Sequence, residues 1–204
     1  MKTIFWDVDT QNDFMNPDGA LYVPGAEAIK KNLESLTRYA FRNAIRTVHS
    51  ADAHLPSNRE LQRNGGPFPD HCMQGTEGAK LIPETRPANP ILIENHYYAF
   101  PYLQGFLKGK RDILIQKEEN NVFANPATDF VLKVLNPEKI IVYGVATDYC
   151  VKDAVAGLVK YAKVYLVTDA IKAVFPEKEK DALEKICNAG AKLITTKDVL
   201  EEKL

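Results

Sequence analysis

Cysteine is scarce in this chain: Cys72, Cys150 and Cys187 are three in 204 residues, an odd number and widely spread. That pattern excludes a disulfide framework of the kind that staples small secreted domains. Net charge is almost absent as well. Lysine and arginine number 26 against 27 acids, a formal charge of −1, so the charge balance favours neither nucleic acid nor an anionic membrane surface. Long apolar runs are missing, and no stretch approaches the roughly 20 residues needed to span a bilayer. The opening MKTIFWDVDTQND has a short apolar run broken at once by acids, unlike a secretory signal. Internal repeats and low-complexity segments are missing too. What remains is 45% hydrophobic and 26% charged residues, the balance of a soluble globular protein. One domain over residues 1–204 is expected, in a reducing cytoplasm, with no nucleic-acid and no membrane partner.

The most informative stretch runs from Ile140 to Ala162. Ile140-Ile141-Val142-Tyr143 reads as a buried strand that ends at Gly144. After a short turn, Val151, Ala154, Val155, Leu158 and Val159 recur at helical spacing. Thr147 or Asp148 is the expected N-cap. Cys150 is thus expected in the first turn of a helix at the carboxyl end of a strand. Free backbone N–H groups and the dipole there would lower the thiol's pKa and could hold an oxyanion. The alternative reading of Cys150 is a small buried apolar residue.

Further strands are expected at Thr3–Val8, Ala44–His49, Pro90–Glu94, Asp112–Gln116, Lys163–Thr168 and Ala191–Thr195. Helices are expected at Ala26–Asn43, Pro126–Leu135 and Glu177–Ala189, with a short one at the end and a long aperiodic loop over Leu55–Gly78. This alternation argues an α/β fold, a three-layer α/β/α domain with a mainly parallel central sheet. Ligands bind such folds beyond the carboxyl ends of the strands, where Asp9, Asp52, Lys117 and Cys150 all fall.

A nucleophilic thiol needs a base, and Asp9 is a candidate, with Lys117 able to pair with both. Taken singly, Asp9 reads equally well as a turn-forming carboxylate and Lys117 as a solvated strand-end lysine. Asp52 and His54 are one residue apart, so on an extended chain they point the same way. With His71 from the long loop they would suit zinc, iron or manganese and leave positions open for water or substrate. Cys72 is set aside, because adjacent residues rarely aim at one point. Asp7-Val8-Asp9 also resembles the haloacid dehalogenase signature, in which both acids act together. Alternation would put Asp7 and Asp9 on one face, but Gln11 stands where that pattern has threonine or valine, and no late acidic pair for magnesium is found.

Taken in order, these motifs resemble the isochorismatase-like cysteine hydrolases, and within them the nicotinamidases. Val8-Asp9-Thr10-Gln11-Asn12-Asp13-Phe14 is similar to the family's first motif, and Asp52-Ala53-His54 with Phe68 to Gly78 to its metal segment. Lys117 is similar to its lysine, and Gly144-Val145-Ala146-Thr147-Asp148-Tyr149-Cys150-Val151 to its nucleophile turn. The resemblance implies Asp9 as base, Cys150 as nucleophile and Lys117 as their partner. It also implies a cis peptide between Val145 and Ala146, and an oxyanion hole from the backbone N–H groups of Ala146 and Cys150. One divalent ion, zinc first and iron or manganese otherwise, would be held by Asp52, His54 and His71. Ser57, Asn58 and Glu60 lie where some relatives recruit a further ligand. Phe14 and Phe68 are candidates to stack on a pyridine ring, or else ordinary core residues. The implied substrate is a small amide, nicotinamide above all, and the implied assembly a homodimer or larger. Ala53, where nicotinamidases commonly have tryptophan, and Glu118–Phe123 depart from the pattern. The alternatives are another small amide or vinyl ether as substrate, or a non-catalytic ligand- or partner-binding domain on the same fold.

Overall fold

The computed structural model describes residues 2–203; Met1 and Leu204, the ends of the expected domain, lie outside it. Seven strands are found among the described residues: β1 (Thr3–Val8), β2 (Arg46–Asp52), β3 (Ile91–Ile93), β4 (Asp112–Lys117), β5 (Lys139–Val145), β6 (Lys163–Lys172) and β7 (Lys192–Ile194). They form one sheet in the order β3-β4-β2-β1-β5-β6-β7, and every neighbouring pair is parallel. The helices are α1 (Asn12–Met15), α2 (Lys30–Arg42), α3 (Phe100–Leu107), α4 (Thr128–Leu135), α5 (Lys152–Leu158), α6 (Pro176–Asn188) and α7 (Thr196–Leu200).

Alternation along β1 feeds two cores. Ile4, Trp6 and Val8 point to one face, where they pack with Leu103 and Leu107 of α3, Val131 and Leu135 of α4, and Val155 and Leu158 of α5. Phe5 points to the other, with Leu33, Leu36 and Ala40 of α2 and Val199 of α7. The α2 residues recur at helical spacing, so one stripe of that helix is buried. Each such aliphatic side chain contributes about 1.5–3 kcal/mol by leaving water. With helices on both faces, the architecture is the expected three-layer α/β/α.

Several boundaries differ from expectation. Strand β2 runs on through Ser50 and Asp52 rather than stopping at His49, and Asp169 lies inside β6 rather than at its end. The helix expected from Ala26 opens as a tight 3-10 turn, Ala26–Ile29, before α2. Helix α3 was not expected: it is short, with Gly105 inside and a run of aromatics, which weaken a helical signal.

Cys150 does not sit in the first turn of a regular helix. Thr147–Val151 forms a wide, kinked turn, with Tyr149 at φ −123° and ψ −106°, and α5 begins only at Lys152. Neither Thr147 nor Asp148 caps it. The residue before the turn is Ala146, with no side-chain cap. The Asp148 carboxylate instead accepts the N–H groups of Val174 (2.9 Å) and Phe175 (3.1 Å), tying the connection between β6 and α6 to the turn. The peptide between Val145 and Ala146 is cis, as the sequence resemblance implied.

Candidate active site

From β1 the chain moves outward to β2 and β4 on one side, and only later to β5 and β6 on the other. A crevice is therefore expected where the connections that follow β1 and β5 part to opposite sides, beyond the carboxyl ends of the two strands. Asp9 follows β1, Cys150 follows β5, Asp52 ends β2 and Lys117 ends β4. All four are buried.

Lys117 is the hub. Its ammonium, fully buried, lies 2.9 Å from Asp9 Oδ2, bonds Asp52 Oδ1, and points at Cys150 Sγ at 3.6 Å. The Ser50 hydroxyl donates to the other oxygen of Asp9 at 2.7 Å, so that carboxylate is held on two sides. Burial works against the Lys117 charge, but Asp52, Asp9 and Cys150 outweigh it and keep its pKa well above the ordinary lysine value. Burial also pushes Asp9 up, since the pull of Lys117 does not fully offset desolvation and the nearby Asp52 charge. Cys150 was expected to have a lowered pKa. Burial instead pushes its thiol well up, with Lys117 opposing and Asp9 adding to the rise. At Cys150 and at Asp9 burial thus favours the protonated form, against the pull of the same Lys117 ammonium.

Asp7 takes no part. Asp9 has φ +51°, which turns the chain out of β1. The Asp7 carboxylate packs on the other side, accepting from the Thr10 hydroxyl (2.9 Å) and meeting His49 Nδ1 at 2.8 Å. The two acids do not act on one point, and the dehalogenase-like pattern has no counterpart here.

The three expected metal ligands converge. One ligand atom from each of Asp52, His54 and His71 lies within 4.8 Å of the others, and all three residues are buried. Nε2 of His54 and Nε2 of His71 each lie 3.7 Å from Asp52 Oδ2. His71 Nδ1 meets the Pro69 carbonyl at 2.7 Å, which makes Nδ1 the donor and leaves Nε2 a bare acceptor. Both ring nitrogens of the fully buried His54 lack a hydrogen-bond partner. Buried polar atoms without partners are costly, and a divalent cation would satisfy this donor set. Burial opposes ionisation of Asp52, but the Lys117 ammonium bonded to it outweighs that and holds the carboxyl well below its usual range. It is an anion ready for a cation.

Of the residues between the histidines, Ser57 is exposed. The Asn58 carboxamide is occupied by Glu118 and by the Glu60 N–H. The half-buried Glu60 is pushed up by burial and by the Asp52 charge, so its carboxyl is the one that senses the cluster. Cys72 faces the Gly78 carbonyl instead.

Above these groups lies a pocket of about 230 Å³, smaller than drug-sized cavities and suited to a small ring. Cys150 and His71 both line it. Phe14 and Phe68 line it as well, with ring centroids 5.6 and 5.9 Å from that of His71. Among the lining residues that were not anticipated are Tyr149, Phe175 and Asn120. Tyr149 meets Phe68 edge-on at 6.2 Å and Phe175 at 6.5 Å. Asn120 Oδ1 lies 3.9 Å from Cys150 Sγ. Its place three residues after Lys117, beyond a strand's carboxyl end, was a signal that could have found it.

The fold and site define a class, a parallel α/β domain with a cysteine, a carboxylate and a lysine buried beside a histidine–aspartate cluster. The chain belongs to the isochorismatase domain family, whose model matches residues 4–111 and 104–198. Among its relatives it is similar to the nicotinamidase of Escherichia coli K12, 29% identical over 212 residues that cover 94% of this chain and 93% of that one. Among solved structures it is similar to the pyrazinamidase of Pyrococcus horikoshii in complex with zinc, with a TM-score of 0.79 and 27% identity over 96% of this chain and 99% of that one. The nicotinamidase/pyrazinamidase of Bacillus subtilis, at 24% identity, covers 95% of this chain and 99% of its own with a TM-score of 0.76. That likeness speaks for the fold alone.

Proposed function

We propose that this protein is a metal-containing cysteine amidohydrolase that converts nicotinamide to nicotinate and ammonia. One observation carries the reading: a buried lysine bridges Asp9 and Cys150 on one side and Asp52 of the histidine–aspartate cluster on the other, all beneath one small aromatic pocket. The similarity to a nicotinamidase and to a zinc-bound pyrazinamidase supports the same substrate class.

The mechanism follows from the neutral thiol and the basic carboxylate. As Cys150 sulfur attacks the carboxamide carbon, its proton passes to Asp9. The oxygen that gains charge is received by the backbone N–H groups of Ala146 and Cys150. Asp9 then gives the proton to the amide nitrogen, the C–N bond breaks and ammonia leaves a thioester. Water attacks that thioester and yields its proton to Asp9. As the C–S bond breaks, the sulfur takes the proton back and the acid is released. Lys117 remains an ammonium throughout, holding Asp9 in place and offsetting the charge that develops on sulfur. When bound, a divalent ion, zinc first, would supply a Lewis-acid contact for the ring nitrogen from its place between Asp52, His54 and His71. Phe14 and Phe68 hold the ring by stacking and edge contact.

The test compares nicotinamide with benzamide, which lacks the ring nitrogen. Expected is a kcat/KM for nicotinamide at least about tenfold higher and no turnover of either amide by Cys150→Ala. Equal turnover of the two would remove the ring-nitrogen contact. An active Cys150→Ala would remove the thioester.

A further inference from the structure

Two residues of the first motif, Gln11 and Asp13, take part in no step above. Both are spent on the backbone that carries the candidate metal ligands. The pairing of β1 with β2 ends at Val8 and Ser50, and one more bond follows from Asp9 N–H to the Ser50 carbonyl at 3.1 Å. There the chain turns away at Asp9, so Asp52, two residues further along β2, has no strand beside it on that edge. Gln11, fully buried, takes the strand's place. Its Oε1 accepts the Asp52 N–H at 2.7 Å, and its Nε2 donates to the Asp52 carbonyl at 2.8 Å and to the Ala79 carbonyl at 2.7 Å. Both ends of the carboxamide are occupied, and neither is left to bind an ion.

Asp13 does the same for the loop that brings in the histidines. Its Oδ2 accepts the N–H of Cys72 at 2.6 Å, immediately after His71, and its Oδ1 accepts that of Ala20 at 3.2 Å. The Cys72 carbonyl in turn accepts the His54 N–H at 3.1 Å. Gly78 lies so close that a Cβ there would come within 2.2 Å of Asp13 Oδ2. One span of three residues thus fixes Asp52 by one side chain, and His71 and His54 by another.

We infer that Gln11 and Asp13 are positioning residues that set the separation of the three ligand side chains, so that metal affinity depends on two groups that never reach the ion. The inference rests on the metal site of the proposed function, and not on the substrate. Outer hydrogen bonds of this kind are typically worth 10- to 100-fold in metal affinity.

The test is zinc affinity of the full chain, measured with zinc alone in competition with a chromophoric chelator. The variants are Gln11→Met, which keeps length and removes both polar ends, and Gly78→Ala, which displaces Asp13 without changing charge. Thr196→Val, which loses a hydrogen bond to Asp169 in a part of the chain that does not line the pocket, is the control for general destabilisation. Expected is an affinity about 10- to 100-fold weaker in Gln11→Met and Gly78→Ala, one zinc per chain at saturation, and no change in Thr196→Val. Should Gln11→Met not fold, Gly78→Ala decides. Affinity within about twofold of wild type in the folded variants, or an equal loss in Thr196→Val, would overturn the inference. A wild-type chain that takes up no zinc would overturn the site itself and the inference with it. Failure of nicotinamide as substrate would leave this measurement unaffected.

Discussion

At Asp9 the low dielectric of the pocket floor competes with a lysine ammonium 2.9 Å away, and burial wins, so the carboxyl is raised above its ordinary value. On the proposed mechanism this has a measurable sign. Asp9 accepts a proton only when unprotonated, so kcat/KM falls as pH falls through its raised pKa. The acid limb is expected above the range of an ordinary aspartate, roughly pH 4. Lys117, raised well above the usual lysine value, contributes no basic limb at neutral pH. A profile flat down to about pH 4 would remove Asp9 as the base. The residues that converge at the candidate site were legible because cysteine, lysine and acids at strand ends are conspicuous. Lys117 read equally well as a solvated strand-end side chain, and only three-dimensional contact shows it enclosed between two carboxylates. Phe175 gave no signal at all, since its place in the pocket wall comes from the Asp148 carboxylate holding its N–H from another element.

Among the elements, the β1–β5 pair matters most, because Asp9 and Cys150 each follow one of its strands. Gly144 pairs with Val8 and has φ +117°, and a Cβ there would come within 2.1 Å of the Val8 carbonyl oxygen. Gly144→Ala therefore meets both an unfavourable backbone region and a backbone clash. Expected is a loss of at least about 2 kcal/mol in the free energy of unfolding by urea, with turnover falling further than the folded fraction does. Unchanged stability would mean that the two strands do not approach so closely. The strand before this glycine was readable from its β-branched run, but β5 runs on through Gly144 to Val145 and does not end at the glycine as expected. The far end of β2 was hidden for the opposite reason. Ser50 and Asp52 are buried polar residues that belong to the site, and polarity in sequence reads as loop. Local rules fail where a chain builds a binding site. The turn around Cys150 failed likewise, because the capping side chain expected of Asp148 is committed to the segment after β6, at Val174 and Phe175.

For the molecule as a whole, alternating strands and helices were enough to give the layers and the parallel sheet. They also gave the edge on which ligands bind. The strand order, and the parting of the connections after β1 and β5, required tertiary pairing that no local pattern carries. Four chain segments distant in sequence meet at the crevice, and the aromatic pocket above it is sized for one small ring. Among the described residues no helix is long and apolar enough to cross a membrane. The family is shown by the match over most of the chain. On the proposed function the choice of amide depends on what the histidine–aspartate cluster holds, which makes metal-dependent turnover the decisive property. The most direct measurement is ammonia release from nicotinamide by the purified protein, before and after chelation with metal content measured at each stage. The account requires release that chelation abolishes and that zinc, iron or manganese restores. No release from folded, zinc-loaded protein, or an unchanged rate once the metal has been shown to be gone, would contradict it.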